Sequence, residues 1–221
     1  MKLFISAFSK LIIGLGAISA LLFAPAGTFA FPGAWRLIAL LFIPMLIIGI
    51  AFYIWAPSTL ERRMRAKEER TKQKGVVALS GLLFLACFIL AGLDFRFGWS
   101  EISGWVIWTA GSIFVLSYGI YAEVMRENEW LSRSIEVAEG QKVISTGLYG
   151  MVRHPMYTAT IVMFLTMPII LGSWWAFLVM LPYVPVIMSR IKDEENLLLE
   201  ELEGYQEYTE KVRWRLIPYI W

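Results

Sequence analysis

The sequence predicts an all-α fold, a polytopic membrane bundle of about six spans followed by a charged helix in water, and three observations carry that expectation. Apolar residues make up 58% of the 221 residues and charged ones 17%, where soluble domains average about 45–50% and about 25%. Mean hydropathy is +0.61, and the apolar residues lie in blocks near the roughly 20 residues a helix needs to cross hydrocarbon. Apart from Lys2, Lys10 and Arg36, charge lies in short intervals between those blocks and in the segment from Arg190 onward.

Taken in order, the blocks place spans at about residues 3–24, 34–56, 75–93, 102–121, 156–171 and 174–190. The first resembles a secretory leader, with Lys2 ahead of it and a cleavage-like Thr28–Ala30. Its apolar run exceeds the usual h-region of about 7–15 residues and contains Lys10, so it is expected to be a retained anchor. The last two are short and separated only by Gly172 and Ser173, which predicts a tight helical hairpin or one broken helix.

Of the twenty Lys and Arg, seven lie in residues 57–74, four in 122–155, five from Arg190 onward and two before Leu11. Only Arg36 and Arg96 occupy the alternate loops, so the positive-inside rule puts both termini and the 122–155 segment on the cytoplasmic side. Trp35, Trp55, Trp99, Trp130, Trp174 and Trp175 sit near span ends, as interfacial anchors do. The basic run from Glu61 to Lys74 reads as a solvated loop touching anionic headgroups. Asp94 and Arg96 read as a loop pair on the far side, and the segment from Glu123 as an extension of the fourth span into water.

Several function classes drop out. A net charge of +2 gives no reason to expect a nucleic-acid partner. One His excludes most histidine-rich metal sites. The lone Cys87, inside an apolar block, reads as a packed small residue. No glycine motif follows a strand signal, and the hydrophilic stretches fall short of the roughly 100 residues of a doubly wound domain. Any cofactor site must therefore be built from span ends and the tail.

The polar residues concentrate in QKVISTGLYGMVRHPMY, from Gln141 to Tyr157. Pro155 suits the first turn of a helix, where its missing N–H costs nothing, and the free N–H groups there favour an anion. Gly147 and Gly150 permit a close approach upstream. Past the sixth span, Arg190 and Glu194 are spaced i, i+4. On one continuous helix, Arg190, Glu194, Leu197, Glu201, Tyr205 and Tyr208 share a face flanked by Leu198 and Leu202. Each cluster alone reads as a juxtamembrane anchor. A short hairpin that places both on one side of the membrane raises the reading of a shared site.

GLYGMVRHPMY followed, after a hairpin, by RIKDEENLLLEELEGYQEYTEKVRWRLIPYIW resembles the isoprenylcysteine carboxyl methyltransferase and phospholipid methyltransferase families over about the last 80 residues. The resemblance divides the chain into a four-span region, 1–121, and a methyltransferase catalytic region, 122–221. It implies S-adenosylmethionine held by Gln141, Lys142, Val143, Ile144, Tyr149, His154, Pro155, Met156, Tyr157 and Glu194, with Ser134 a weaker match. Arg190 matches the family arginine that contacts substrate and is needed for transfer, so Arg190 and Glu194 are the implied catalytic pair. Gln141 stands where eukaryotic carboxyl methyltransferases carry His, and Thr158-Ala159 replaces a small-residue pattern ending in Gly.

The implied reaction moves a methyl group to an apolar acceptor from the bilayer: a prenylcysteine-like carboxylate, a phospholipid amine or a small thiol. Displacement at a sulfonium needs positioning and exclusion of water rather than a metal or covalent intermediate. Tyr149, Tyr157, Tyr205 and Tyr208 suit a cationic sulfonium or an adenine, and the helix start at Pro155 suits a carboxylate. The alternative is a non-enzymatic transporter or assembly factor that kept the scaffold. The joint presence of His154, Tyr157, Arg190 and Glu194 is the feature against it.

Overall fold

Prolines and glycines set most of the boundaries. The computed structural model describes residues 2–65, 71–132 and 135–221, which are helical wherever they are regular. The helices are α1 (Lys2–Ala26), α2 (Pro32–Trp55), α3 (Pro57–Arg65), α4 (Thr71–Phe97), α5 (Gly104–Glu127), α6 (Pro155–Leu171), α7 (Trp174–Met180), α8 (Tyr183–Glu201) and α9 (Tyr205–Lys211), with a 3-10 turn at Gly147–Gly150. Proline opens α2, α3 and α6, positions where its missing N–H breaks no helical bond. Gly172 ends α6 in the left-handed region, at φ 87°, and Ser173 accepts the Ala176 N–H to start α7.

Five segments are long and apolar enough to cross a membrane: Ile5–Ala26, Pro32–Trp55, Gln73–Phe97, Gly104–Glu127 and the α7–α8 unit Trp174–Glu201. Their outer faces expose Ile13, Ile47, Leu82, Trp105 and Leu116, an apolar exterior that a bilayer covers. The chain is an integral, multi-pass membrane protein. The expected fifth span, α6, has only 17 residues, about 25 Å at 1.5 Å per residue. It is an interior helix, packed chiefly on α5 and also on α7, α2, α4 and α8. That enclosure explains why it tolerates Pro168 in its last turn.

Three expectations are corrected. The sixth span does not end at Arg190: after a turn at Leu181 and Pro182, α8 carries straight on from the apolar region to Glu201. Nor does one helix hold the whole polar face. It stops at Glu201, Gly204 turns the chain at φ 80°, and Tyr205 and Tyr208 belong to α9. The basic run is not all loop, because its first residues continue the short α3 that Pro57 starts. Residues 66–70 of it lie outside those described, and its last four residues, from Thr71 to Lys74, open α4.

Asp94 and Arg96 do not behave as a pair. Asp94 is 1% exposed and accepts from the Ser100 N–H at 2.7 Å, from the Ser100 hydroxyl and from the Ser173 hydroxyl. It thereby ties the end of α4 to the α6–α7 corner. Arg96 instead lies over the Phe97 ring and against Gly27.

Close backbone approach holds the bundle together where no hydrophobic drive exists between helices in lipid. A side chain at Gly92 would strike the Leu22 carbonyl of α1, and one at Gly33 the Leu171 carbonyl at the end of α6. Phe84, Phe164 and Tyr183, from α4, α6 and α8, pack edge to face with centroids 4.8 to 5.8 Å apart. This triad joins the three helices whose ends carry the polar cluster. Gly33→Ala is expected to lower stability by about 1–3 kcal/mol through overpacking. Gly81→Ala, where nothing lies within 4 Å, should leave the thermal unfolding midpoint in detergent unchanged or slightly raised, which makes the pair a direct check.

Candidate functional site

At one end of the bundle a cleft of about 840 Å³, measured out to its open mouth, lies between the segment after α5, the start of α6, the end of α8 and α9. Gln141, Lys142, Val143, Ile144, Tyr149, His154, Met156, Tyr157, Arg190 and Glu194 all line it, with Leu198, Leu202, Tyr205 and Tyr208. These residues come from segments up to 67 positions apart in sequence, and the α6–α7–α8 hairpin returns the chain to the same end. Pro155 is buried at the first position of α6 and sets the helix start rather than the cleft wall. Ser134 lies outside the described residues. Leu197 and Glu201, expected on the wall, are replaced there by Leu198 and Leu202, which keep the i, i+4 stagger from Arg190 and Glu194.

The Tyr157 hydroxyl links the expected catalytic pair. It accepts from Arg190 Nε at 2.9 Å and donates to Glu194 Oε2 at 2.6 Å. Arg190 is 8% exposed and also donates to Gln73 of α4 at 3.0 Å. His154 Nδ1 stands 4.0 Å from Glu194, so imidazole and carboxylate are adjacent in one cleft.

Glu195, one residue on, is the buried centre of the surrounding structure. Its carboxylate accepts from Arg153 Nε at 2.7 Å and Arg215 Nε at 2.6 Å, and its Oε1 lies 3.1 Å from His154 Nε2. Arg153 also donates to the carbonyls of Val212 and Arg213. The backbone N–H groups of Arg153 and His154 donate to Trp214 and Arg215, and the Thr158 hydroxyl donates to Leu216. The start of α6 is therefore strapped to the C-terminal tail. Those two N–H groups are committed to the tail, which leaves the anion seat expected there to the first turn beyond Pro155, a residue that itself has no N–H.

Sequence reasoning placed Arg153 as a juxtamembrane charge and passed over Glu195. A signal existed: Ile187, Ile191 and Glu195 recur every four residues and all are buried, so Glu195 continues the inward stripe of α8 while Glu194 lies 100° away toward the cleft. The segment from Glu123 extends α5 to Glu127 as expected, and it also supports the cleft. Glu127 accepts from Thr146 and from the Leu148 N–H, and a side chain at Gly147, with φ 45°, would strike it. Asn128 donates to the Tyr149 hydroxyl at 2.9 Å, and Trp130 lines the cleft instead of serving only as an anchor.

Tyr205 and Tyr208 close the far wall with Val143, Leu198 and Leu202. Burial pushes both phenols above the usual tyrosine range, so they stay neutral. Tyr208 donates to the Tyr149 carbonyl at 2.7 Å. The Tyr205 hydroxyl is buried with no hydrogen-bond partner among the described residues, a cost of about 1–3 kcal/mol that a bound acceptor would offset.

Removing one partner of a buried ion network costs about 3–5 kcal/mol because the others remain uncompensated. Glu195→Ala is accordingly expected to lose stability on that scale and to free the tail. Tryptophan-monitored unfolding and limited proteolysis after Val212 would show it, and a tail that stays protected would contradict the strap.

Residues 99–205 match the family model for phospholipid methyltransferase, a stretch that holds every cleft residue named above except Tyr208. The chain is also 31% identical over 91 residues to the delta(14)-sterol reductase of Mus musculus, a match covering 40% of this chain and 22% of that protein. It thus spans less than a quarter of that relative's length. The cleft is thus built almost wholly from the stretch, residues 99–205, that matches the phospholipid methyltransferase family model.

Proposed function

We propose that this protein transfers a methyl group from S-adenosylmethionine to an apolar acceptor that reaches the cleft from the bilayer. The observation that carries the reading is the convergence of Gln141–Ile144, His154, Tyr157, Arg190 and Glu194 on one cleft. The residues suit the donor. Four tyrosines suit an adenine or a sulfonium cation, Glu194 suits an ammonium or ribose hydroxyls, and the unpartnered Tyr205 hydroxyl offers a donor to a bound acceptor atom.

S-adenosylmethionine, when bound, supplies a methyl group on a sulfonium centre, and transfer is an in-line displacement that depends on positioning. Glu194, oriented by Tyr157, anchors the polar end of the donor. Arg190 lies one turn deeper along α8, toward the apolar region, and its guanidinium faces an anionic or polarisable acceptor there. The aromatic and leucine walls exclude water. By the positive-inside distribution this end of the bundle faces the cytoplasm.

A second reading rests on the likeness to the sterol reductase. In it the same cleft would serve a reduction, with a reductant in place of the methyl donor, for which NADPH is the probe. Calorimetric titration of the detergent-solubilised protein separates the two: binding of S-adenosylhomocysteine and not of NADPH supports methyl transfer, and the reverse supports reduction. Silence toward both from a folded protein favours a scaffold without chemistry.

Two variants test the assigned roles. Glu194→Ala is expected to weaken S-adenosylhomocysteine binding at least tenfold, since a charge-assisted hydrogen bond contributes about 1.5–3 kcal/mol. Arg190→Ala should keep that affinity while methyl transfer falls by two orders of magnitude or more. Loss of binding in Arg190→Ala would place the arginine on the donor instead.

A further inference from the structure

Gln73 lies outside the family-matched residues 99–205, in the part of the chain with no recognisable motif, and yet it is completely buried. It sits at the start of α4 and reaches α8. Its amide oxygen accepts from Arg190 at 3.0 Å, and its amide nitrogen donates to Asp193 Oδ2 at 2.5 Å. Arg190 is thus held from two directions, with Tyr157 receiving Nε and Gln73 receiving Nη1.

A carboxamide, with one acceptor and one donor at its tip, satisfies both contacts. The guanidinium has donors and no acceptor, and an ionised carboxylate has acceptors and no donor. Asp193 therefore selects the rotation of the Gln73 amide, and that rotation presents the oxygen to Arg190. A glutamate would keep the bond to Arg190 and set two carboxylates against each other. An apolar side chain of the same length would remove the Gln73 contact and leave Nη1 without the acceptor that fixes it from the α4 side.

We propose that Gln73 is a positioning residue for methyl transfer: by bridging Asp193 to Arg190 it fixes the guanidinium plane against the acceptor, and so the N-terminal helices complete the site rather than only anchoring it. This rests on the methyltransferase reading and on Arg190 facing the acceptor. Gln73 does not line the cleft, so its effect belongs to acceptor turnover and leaves donor affinity alone. An effective barrier change from a misoriented group without any direct contact follows from the steep dependence of such reactions on alignment.

The test uses the full chain in nanodiscs, with Gln73→Met, which preserves volume and deletes both hydrogen bonds, and Gln73→Glu. Donor-site affinity is read by S-adenosylhomocysteine titration. Turnover is read as S-adenosylhomocysteine formed with three acceptor probes: N-acetyl-S-farnesylcysteine for a carboxylate, dioleoyl phosphatidylethanolamine for an amine and dodecanethiol for a thiol. The expected result is a tenfold or greater fall in kcat for Gln73→Met with the probe that wild type turns over, donor affinity within twofold of wild type, and a fall for Gln73→Glu that is largest with the carboxylate probe. Turnover within twofold of wild type in folded Gln73→Met, or a parallel loss of affinity and turnover, overturns the positioning role. A wild type that binds no S-adenosylhomocysteine, or turns over none of the probes, overturns the methyltransferase reading and the inference with it.

Discussion

One buried carboxylate organises the polar end of this protein. Glu195 is 4% exposed and faces two guanidinium groups and an imidazole. An ion at that depth is tolerated only when its partners are in place, so the helix start at Pro155, the end of α8 and the tail through Leu216 are held as one unit. The cleft is the space left beside that unit, and Glu194, the adjacent residue, is free to face it because Glu195 faces away.

The division of labour between neighbours on α8 follows from helix geometry. Successive side chains point about 100° apart, which separates Asp193, Glu194 and Glu195 into three directions. Asp193 meets Gln73 of α4, Glu194 meets Tyr157 at the cleft and Glu195 meets the α6–tail strap. Four of the five charged residues from Arg190 to Glu195 therefore reach different structural partners instead of forming one undifferentiated patch. Arg190, one turn earlier, shares the Tyr157 hydroxyl with Glu194.

The apolar part of the bundle serves this end by returning the chain to it. α6 is short and enclosed, Gly172 and Ser173 reverse the direction, and the turn at Leu181 and Pro182 realigns α8. Gly33 and Gly92 bring helices to backbone contact where larger residues would hold them apart. The edge-to-face packing of Phe84, Phe164 and Tyr183 then sets how α4, α6 and α8 sit against one another, which is what allows Gln73 to reach Arg190.

Much of this was legible in the sequence. Hydrophobic blocks of bilayer length determined the helical, multi-pass class, because backbone polar groups in hydrocarbon must be satisfied within each segment. Proline and glycine marked the start of α6 and the α6–α7 corner, since each constrains φ locally. The residues from Gln141 to Tyr157, with Arg190 and Glu194, stood out as polar groups that a membrane chain does not retain at random. What escaped was decided by packing between distant segments. That Glu195 rather than Glu194 holds the tail, that Leu198 and Leu202 replace Leu197 and Glu201 on the wall, and that Gln73 bridges to α8 all depend on how helices are rotated about their axes. Rotation is set by which side chains and backbones fit together in three dimensions, and a periodicity read along one strand of sequence carries the stripe but not the partner it turns toward.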